Sequence, residues 1–400
     1  MKKILLIISF LLAGYGFILA QSNYEITGQI RPRFQMHNKN FNGKIPSSNF
    51  TELRTRLGIK ISPIENLSGF VQIQDSRIFG TEPSTLDPID NIDLHQAYFT
   101  LNKIFSLPIN LKIGRMELSY GPQRLIGAVD WSNIGRSFDG GLVQFSSEKV
   151  DIDLFTAKLN EKFNPADSLD NNLIGFYADL KIVENYKIQP FLINENVMKE
   201  DGNRTTFGAY INGNIDNFSH EVEAAYQFGS LSNEIEISAY MLALNLNYKI
   251  ESQLKPSIGG GIDFISGDDG NDINTTKVFN TLYATNHKYY GFMDYFVNIP
   301  SNTMGLGLVD FHLKGEISPI EKLKTNLALH IFNSAAEYKL FNNSKLKNFG
   351  SEIDFTISYN YNSAVNFTGG FSLFFPGDIF KQVKGKDIST WTYLMAIVNL

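Results

Sequence analysis

The stretch YEITGQIRPRFQ, residues 24–35, alternates apolar or small side chains with polar ones along its whole length. Phe34 belongs to the apolar side, and Arg31 and Arg33 belong to the polar side. Because successive side chains of a β-strand point to opposite faces, a period of two predicts a strand with one apolar and one charged face. The same alternation recurs in residues 51–61, 309–317 and 353–359.

The composition argues against two or three soluble domains, which the length of 400 residues alone would suggest. The chain is 43% hydrophobic and 13% aromatic, but only 19% charged, which is sparse for a soluble surface. It contains no cysteine, which excludes disulfide scaffolds, zinc–cysteine sites, iron–sulfur clusters and cysteine nucleophiles.

The first twenty residues have the pattern of a secretory signal. Lys2 and Lys3 precede the apolar run 4–12, and Leu19-Ala20-Gln21 is typical of a cleavage site. We therefore expect a signal peptide at 1–20, Sec-type export and a mature domain at 21–400; the alternative is a buried first helix. Removing this segment leaves 33 of the 35 basic residues against 41 acidic ones, a net charge of −8 that does not suggest nucleic-acid binding.

The connections between the strands favour a barrel over a soluble sandwich. About eighteen candidate strands can be counted, with short links after most even-numbered strands and longer links after most odd-numbered ones. The motif Ser-Pro-Ile-Glu recurs at 62–65 and 318–321, each time after an even-numbered strand. This parity is typical of outer-membrane barrels, although the short link at 229–233 is an exception. The sequence thus predicts an all-β, single-domain, transmembrane antiparallel β-barrel in a Gram-negative-type outer membrane, whose last strand, 391–400, pairs with the first.

The charged face of each strand is expected to line the bore, because a charge facing mid-bilayer is costly. The early strands contribute a basic set: Arg31, Arg33, Arg54, Arg56 and Lys112. Two interpretations remain open. The side chains brace the wall through cross-strand pairs, or the arginines form a cluster that attracts carboxylates, whose geometry matches the guanidinium fork.

The alternation breaks in residues 112–141, which are rich in glycine. A bulge at Gly114 would turn Arg115 and Glu117 inward beside Lys112. The segment then carries further charged residues: Arg124, Asp130, Arg136 and Asp139. We expect it to fold inward as a constriction held by Arg–Asp pairs; the alternative is an ordered outer loop.

Two groups of motifs carry a family resemblance. The first has G-R-x-E at 114–117, Y-G at 120–121, R-L-I-G at 124–127, D-W at 130–131 and G-R-x-F-D-G at 135–140. The second has G-S-E-I-D at 350–354, G-G-F-S at 369–372 and F-F-P-G-D at 374–378. Together they resemble the alginate export family of outer-membrane barrels. The resemblance implies a monomeric barrel of eighteen strands with a basic lumen that passes an anionic polysaccharide. It also implies that these residues line or brace the pore: Arg115, Glu117, Arg124, Asp130, Arg136, Asp139, Glu352 and Asp354.

Signals for an enzyme are weak, and we expect no catalytic residue, cofactor or metal. The sequence has no Gly-x-Ser-x-Gly elbow, phosphate loop or His-Glu-x-x-His motif. The six histidines show no ligand spacing along the chain. Glu352 and Asp354 are neighbours on one strand face, which favours pore lining over an acid–base couple.

Two functions remain open. The first is a channel for acidic polysaccharide, sugar acids or other small anionic solutes, which diffuse through an arginine-lined pore. The second is an outer-membrane scaffold or adhesin that uses the long loop 267–305 without transport.

Overall fold

Eighteen antiparallel strands form one closed ring in the computed structural model, which describes residues 23–86, 91–161, 170–181, 184–197, 202–232 and 234–400. The expected signal peptide, 1–20, lies outside these residues. The ring strands are β1 (Asn23–Asn38), β2 (Ser48–Ile64), β3 (Leu67–Ile78), β4 (Ile92–Leu101), β5 (Ile109–Met116), β6 (Phe138–Ser146), β7 (Val150–Asn160), β8 (Asn171–Leu180), β9 (Tyr186–Val197), β10 (Gly202–Ile215), β11 (Phe218–Ser232), β12 (Ile235–Lys249), β13 (Ser257–Ile265), β15 (Leu308–Ile320), β16 (Leu323–Lys339), β17 (Lys345–Asn360), β18 (Val365–Pro376) and β19 (Ser389–Asn399). The two-residue strand β14 (Thr275–Thr276) lies in a connection and pairs in parallel with β12.

The ring closes between its first and last strands, as the sequence predicts. β1 and β19 pair in antiparallel, with Gln29 opposite Asn399. Beyond this pair, Gly28 and Leu400 exchange backbone hydrogen bonds of 3.1 and 2.8 Å. The sheet must close in a membrane, because the hydrocarbon core offers no hydrogen-bond partner for the backbone groups of an open strand edge.

The exposure of apolar and charged side chains on the strands is the reverse of that in a soluble protein. On β1, Ile30 and Phe34 are each 39% exposed, whereas Arg31 and Arg33 are buried. β2 repeats this pattern, with exposed aliphatic side chains next to buried arginines. The apolar face therefore points to lipid and the charged face points into the bore, which confirms the assignment made from the alternation.

Long connections gather at one end of the barrel and short turns at the other. The connection between β16 and β17, at the end of the long links, is short, because β16 continues to Lys339 and β17 begins at Lys345. The helical elements are short: 3₁₀ turns at Ile104–Ser106 and Asn286–Lys288, and α-helices at Ile299–Asn302 and Asp378–Val383. Among the described residues, no helix is long and apolar enough to cross a bilayer.

Two long connections fold into the bore. We call residues 117–137, between β5 and β6, loop L1, and residues 266–307, between β13 and β15, loop L2. L2 buries Phe296 completely against Phe332 and Phe380, with ring centroids 4.6 and 5.7 Å apart. The expectation that 267–305 is an outer loop is therefore wrong for most of its length, because its aromatic side chains pack inside the barrel. Residues 270–274 are its longest exposed run.

Candidate pore constriction

Four arginines on the inner faces of β1 and β2 hold the backbone of L1. Arg31 lies opposite Arg54 in the register. Arg31 donates to the carbonyls of Asp130 and Ser132 at 2.6 and 2.7 Å, and Arg54 donates to the Asp130 carbonyl at 2.8 Å. Arg33 and Arg56 bind further L1 carbonyls at Trp131 and Ile134. These arginines thus hold a loop in place. Neither of the two interpretations, bracing of the wall by cross-strand pairs or attraction of carboxylates, anticipated this role.

Asp130 adds a carboxylate to this contact. Its Oδ1 lies 2.8 Å from Arg54 Nη2 and 3.7 Å from Arg56 Nη1. Partial burial alone would raise the pKa of Asp130, but the guanidinium groups of Arg54 and Arg31 outweigh it and hold this pKa below its usual value. The expected Arg–Asp pairing of the inward-folded segment is present at this position.

Glu117 begins L1 and faces the bore beside a histidine that the sequence analysis did not single out. Its Oε1 lies 2.8 Å from His95 Nε2 and 3.3 Å from Arg56 Nη1. His95 is the extra residue of a bulge in β4, where the register against β3 shifts. Such a bulge re-aims a side chain.

The bulge expected at Gly114 is wrong, and Arg115 and Asp139 do not line the bore. The register of β5 with both neighbours runs through Gly114 without a shift, although this glycine has a φ of +134° that other residues rarely adopt. Arg115 and Asp139, paired at 2.7 Å, therefore share the outward face of Ile113. Lys112 keeps the inward face, with its ammonium 4.6 Å from the centre of the Tyr98 ring.

Arg124 anchors L1 to the opposite wall. Its guanidinium pairs with Asp263 on β13 and lies 3.6 Å from Glu223 on β11. β11 stands nine strands from β2 in either direction around the ring, so L1 crosses the bore. Burial would lower the pKa of Arg124, but the Asp263 carboxylate and nearby tyrosines raise it above its usual value, so the group stays charged.

L2 packs on L1 at the crossing. The Trp131 and His287 rings stack with centroids 4.3 Å apart, and Ile126 forms a parallel bridge with Tyr283. Arg136 joins the loops by donating to the carbonyls of Tyr283 and Ala284. The two loops therefore pack together as a single structural unit inside the barrel.

Glu352 and Asp354 fix L2 to β17. Both are buried; Glu352 accepts from the Met293 amide at 2.7 Å and Asp354 from the Phe292 amide at 3.4 Å. Asp354 also accepts from the Ser372 hydroxyl at 2.5 Å. Of the thirteen residues predicted to line or brace the pore, all but Arg115 and Asp139 thus lie on the inner side of the wall or in L1.

Open space remains beside the crossing. A cavity of about 670 Å³ lies between β1, β2 and the two loops, and its charged lining groups include Arg33, Arg136, Glu52 and Asp294. A second cavity of about 300 Å³ is lined by Lys288 and Lys314, among others. Both basic and acidic groups thus line the space on the two sides of the loops.

A family model supplies the identification. The model described as alginate export matches residues 23–393. The chain belongs to the alginate export family. This membership and the closed barrel make the protein an outer-membrane channel, and they confirm the location in a Gram-negative-type outer membrane. No curated protein matches the chain at a significant level.

Solved structures share the fold of this member of the alginate export family. OccAB4 of Acinetobacter baumannii superimposes with a TM-score of 0.64 at 11% identity, covering 95% of this chain and 98% of that one. OccK8 (OprE) of Pseudomonas aeruginosa gives a TM-score of 0.61 at 11% identity, covering 94% and 98%. At these identities the likeness shows the barrel architecture alone.

Proposed function

We propose that this channel passes anionic solutes, above all acidic saccharides and sugar acids, through the space beside the crossed loops. The observation that carries the proposal is the position of two guanidinium groups in the lining of the larger cavity. Arg136 is partly exposed there, and Arg33 lies beneath the surface, beside the carboxylate of Glu52. A guanidinium fork matches the planar carboxylate of an acidic sugar, which favours such solutes over neutral ones.

The charge near L1 supports this selectivity. Arg31, Arg33, Arg54, Arg56 and Arg136 supply five positive charges, and the carboxylates paired with this group, Glu52, Glu117 and Asp130, supply three negative ones. The group therefore carries a formal charge of +2, although the whole chain is acidic. Arg31, Arg33 and Arg54 are buried and act through their field, whereas the partly exposed Arg136 can contact the solute.

The scaffold or adhesin alternative finds less support. That function needs L2 outside the barrel, and most of L2 packs inside. The proposal also takes a single chain as the conducting unit, because both loops are anchored within one barrel.

Planar-bilayer recordings test the proposal. In a KCl gradient we expect a reversal potential of the sign that marks anion selectivity, and current block by glucuronate but not by glucose. Replacing Lys288, an exposed lining residue of the smaller cavity, by Glu should shift the reversal potential toward cations, whereas the rim control Arg77→Gln should not. Cation selectivity of the unmodified protein, or equal block by both sugars, would contradict the proposal.

A further inference from the structure

Three side chains on two neighbouring strands converge at the inner wall, apart from the loop anchors described above. Asp310 and His312 lie on β15, and His330 on β16 stands directly opposite His312. Their side chains are 0%, 2% and 3% exposed. One potential ligand atom from each lies within 4.8 Å of the others. Two imidazoles and one carboxylate are a donor set that suits zinc and neighbouring divalent metal ions.

The distances fit a shared ion. His330 Nδ1 lies 2.8 Å and His312 Nδ1 lies 3.3 Å from the same atom, Asp310 Oδ2. Ligand atoms at about 2.0–2.1 Å from a tetrahedral Zn²⁺ lie about 3.4 Å from each other. Small side-chain movements would therefore admit the ion.

The orientation of His312 is an independent sign that this site suits a cation. Its Nε2 lies 2.7 Å from the Asn245 Oδ1, which can only accept, so Nε2 carries the proton and Nδ1 of the neutral ring carries the lone pair. Both His312 Nδ1 and Asp310 Oδ1 are buried without a hydrogen-bond partner among the described residues. In the neutral ring the Nδ1 lone pair thus faces a carboxylate, an arrangement that is costly in a buried site and that a proton or a metal ion between the two groups relieves.

A glycine makes room for the hydrogen bond that orients His312. Asn245 is on β12 and His312 on β15, and Gly261 on the intervening β13 is paired with both. A Cβ at Gly261 would lie 2.8 Å from His312 Nε2 and 3.0 Å from Asn245 Oδ1. The outer hydrogen bond of a metal-binding histidine fixes its tautomer in this way.

The charge of the surrounding wall favours a cation. Buried carboxylates on this side of the barrel are Glu223, Asp263, Asp310, Glu352 and Asp354. They outnumber neighbouring basic groups such as Arg124 and Lys314. The residues form no metal motif along the chain, and the register across the turn between β15 and β16 brings the two histidines together.

We propose that Asp310, His312 and His330 form a site for a first-row divalent metal ion, with Zn²⁺ as the best match. Three protein ligands leave a fourth position for water or a solute group. His330 lines the cavity of about 300 Å³, which provides a route for the ion from the bore.

Isothermal titration of the detergent-solubilised barrel with ZnCl₂, after removal of any affinity tag, tests the site. We expect one Zn²⁺ per chain, with affinity lowered at least about 100-fold in His312→Ala/His330→Ala and about 10-fold in Asn245→Ala. The matched control His37→Ala/His220→Ala removes the same number of histidines from β1 and β11 and should bind as the unmodified protein does. Bound Co²⁺ should give visible d–d bands that the first double variant loses.

Heat-modifiable gel mobility reports whether each variant forms the barrel. If the double alanine variant fails to fold, Asp310→Asn, which keeps the side-chain shape, takes its place and should lower the affinity as well. The proposal is overturned if the protein shows no saturable Zn²⁺ binding, or if binding survives in the folded ligand variants. It is also overturned if the matched control loses binding equally.

Discussion

Arg54 Nη2 and Asp130 Oδ1 lie 2.8 Å apart although the residues stand 76 positions apart in the sequence. Arg54 is fully buried on β2, and Asp130 belongs to the loop that crosses the bore. This pair joins the wall to the constriction, and its removal should alter the current rather than the fold.

Arg54→Ala should loosen L1. It removes hydrogen bonds to the Asp130 carbonyl and carboxylate and to the Ser132 carbonyl, each worth about 1.5–3 kcal/mol where a charged group takes part. We expect a larger and noisier single-channel conductance. Arg77→Ala, which removes an exposed arginine from β3, should conduct as the unmodified protein does. Identical currents in both variants would mean that Arg54 does not hold the loop.

Low pH should break the ion pair between Arg54 and Asp130, but only below the ordinary titration range of aspartate. The folded pKa of Asp130 lies below the usual 3.8, so its pairing is fully present above that pH and is lost as pH falls through the lowered value. We expect steady conductance from pH 7 to about 4.5 and a change below pH 3.8. Asp130→Asn should not show this change. A step at neutral pH that Asp130→Asn abolishes would contradict the assignment.

Arg124→Ala should destabilise the barrel far more than Arg115→Ala. Removing Arg124 leaves the buried carboxylates of Asp263 and Glu223 without their cation, a loss of about 3–5 kcal/mol. Removing Arg115 breaks an exposed pair worth about 0.2–1 kcal/mol. Urea unfolding in lipid vesicles measures both free energies, and equal losses would show that Arg124 does not neutralise the far wall.

Trp131 offers a fluorescence signal from the constriction. The chain has two tryptophans, and Trp391→Phe leaves Trp131 alone in the lining of the larger cavity. If acidic saccharides pass there, glucuronate should change its emission, whereas glucose should not. Trp131→Phe, which leaves the buried Trp391, should respond to neither. An unchanged spectrum at a glucuronate concentration that blocks the current would place the binding step elsewhere.

Much of the wall could be predicted from the sequence because lipid and water impose a simple rule on each strand. The two-residue period assigns Arg31, Arg33, Arg54 and Arg56 to the bore, and the parity of the links predicts the closed ring. The same rule also holds at Arg115, because the alternation from Lys112 continues without a shift; the bulge assumed at Gly114 is what placed its side chain on the wrong face.

The contents of the bore were harder to predict. The arginines bind backbone carbonyls of L1, and every residue carries a carbonyl, so the sequence contains no signal for which ones they select. The convergence of His312 with His330 likewise depends on the register across a turn. The glycine- and arginine-rich pattern predicts that L1 folds inward, but it does not identify the far anchors Glu223 and Asp263.

The two-sided attachment of L1 has a consequence for the order of assembly. Its anchors come from β1, β2, β11 and β13, so the crossing cannot be completed while the chain is still an open sheet. The barrel must therefore close before L1 can bind to both walls. A late folding intermediate should therefore be an unobstructed tube, and the last contacts made in folding are those that narrow it.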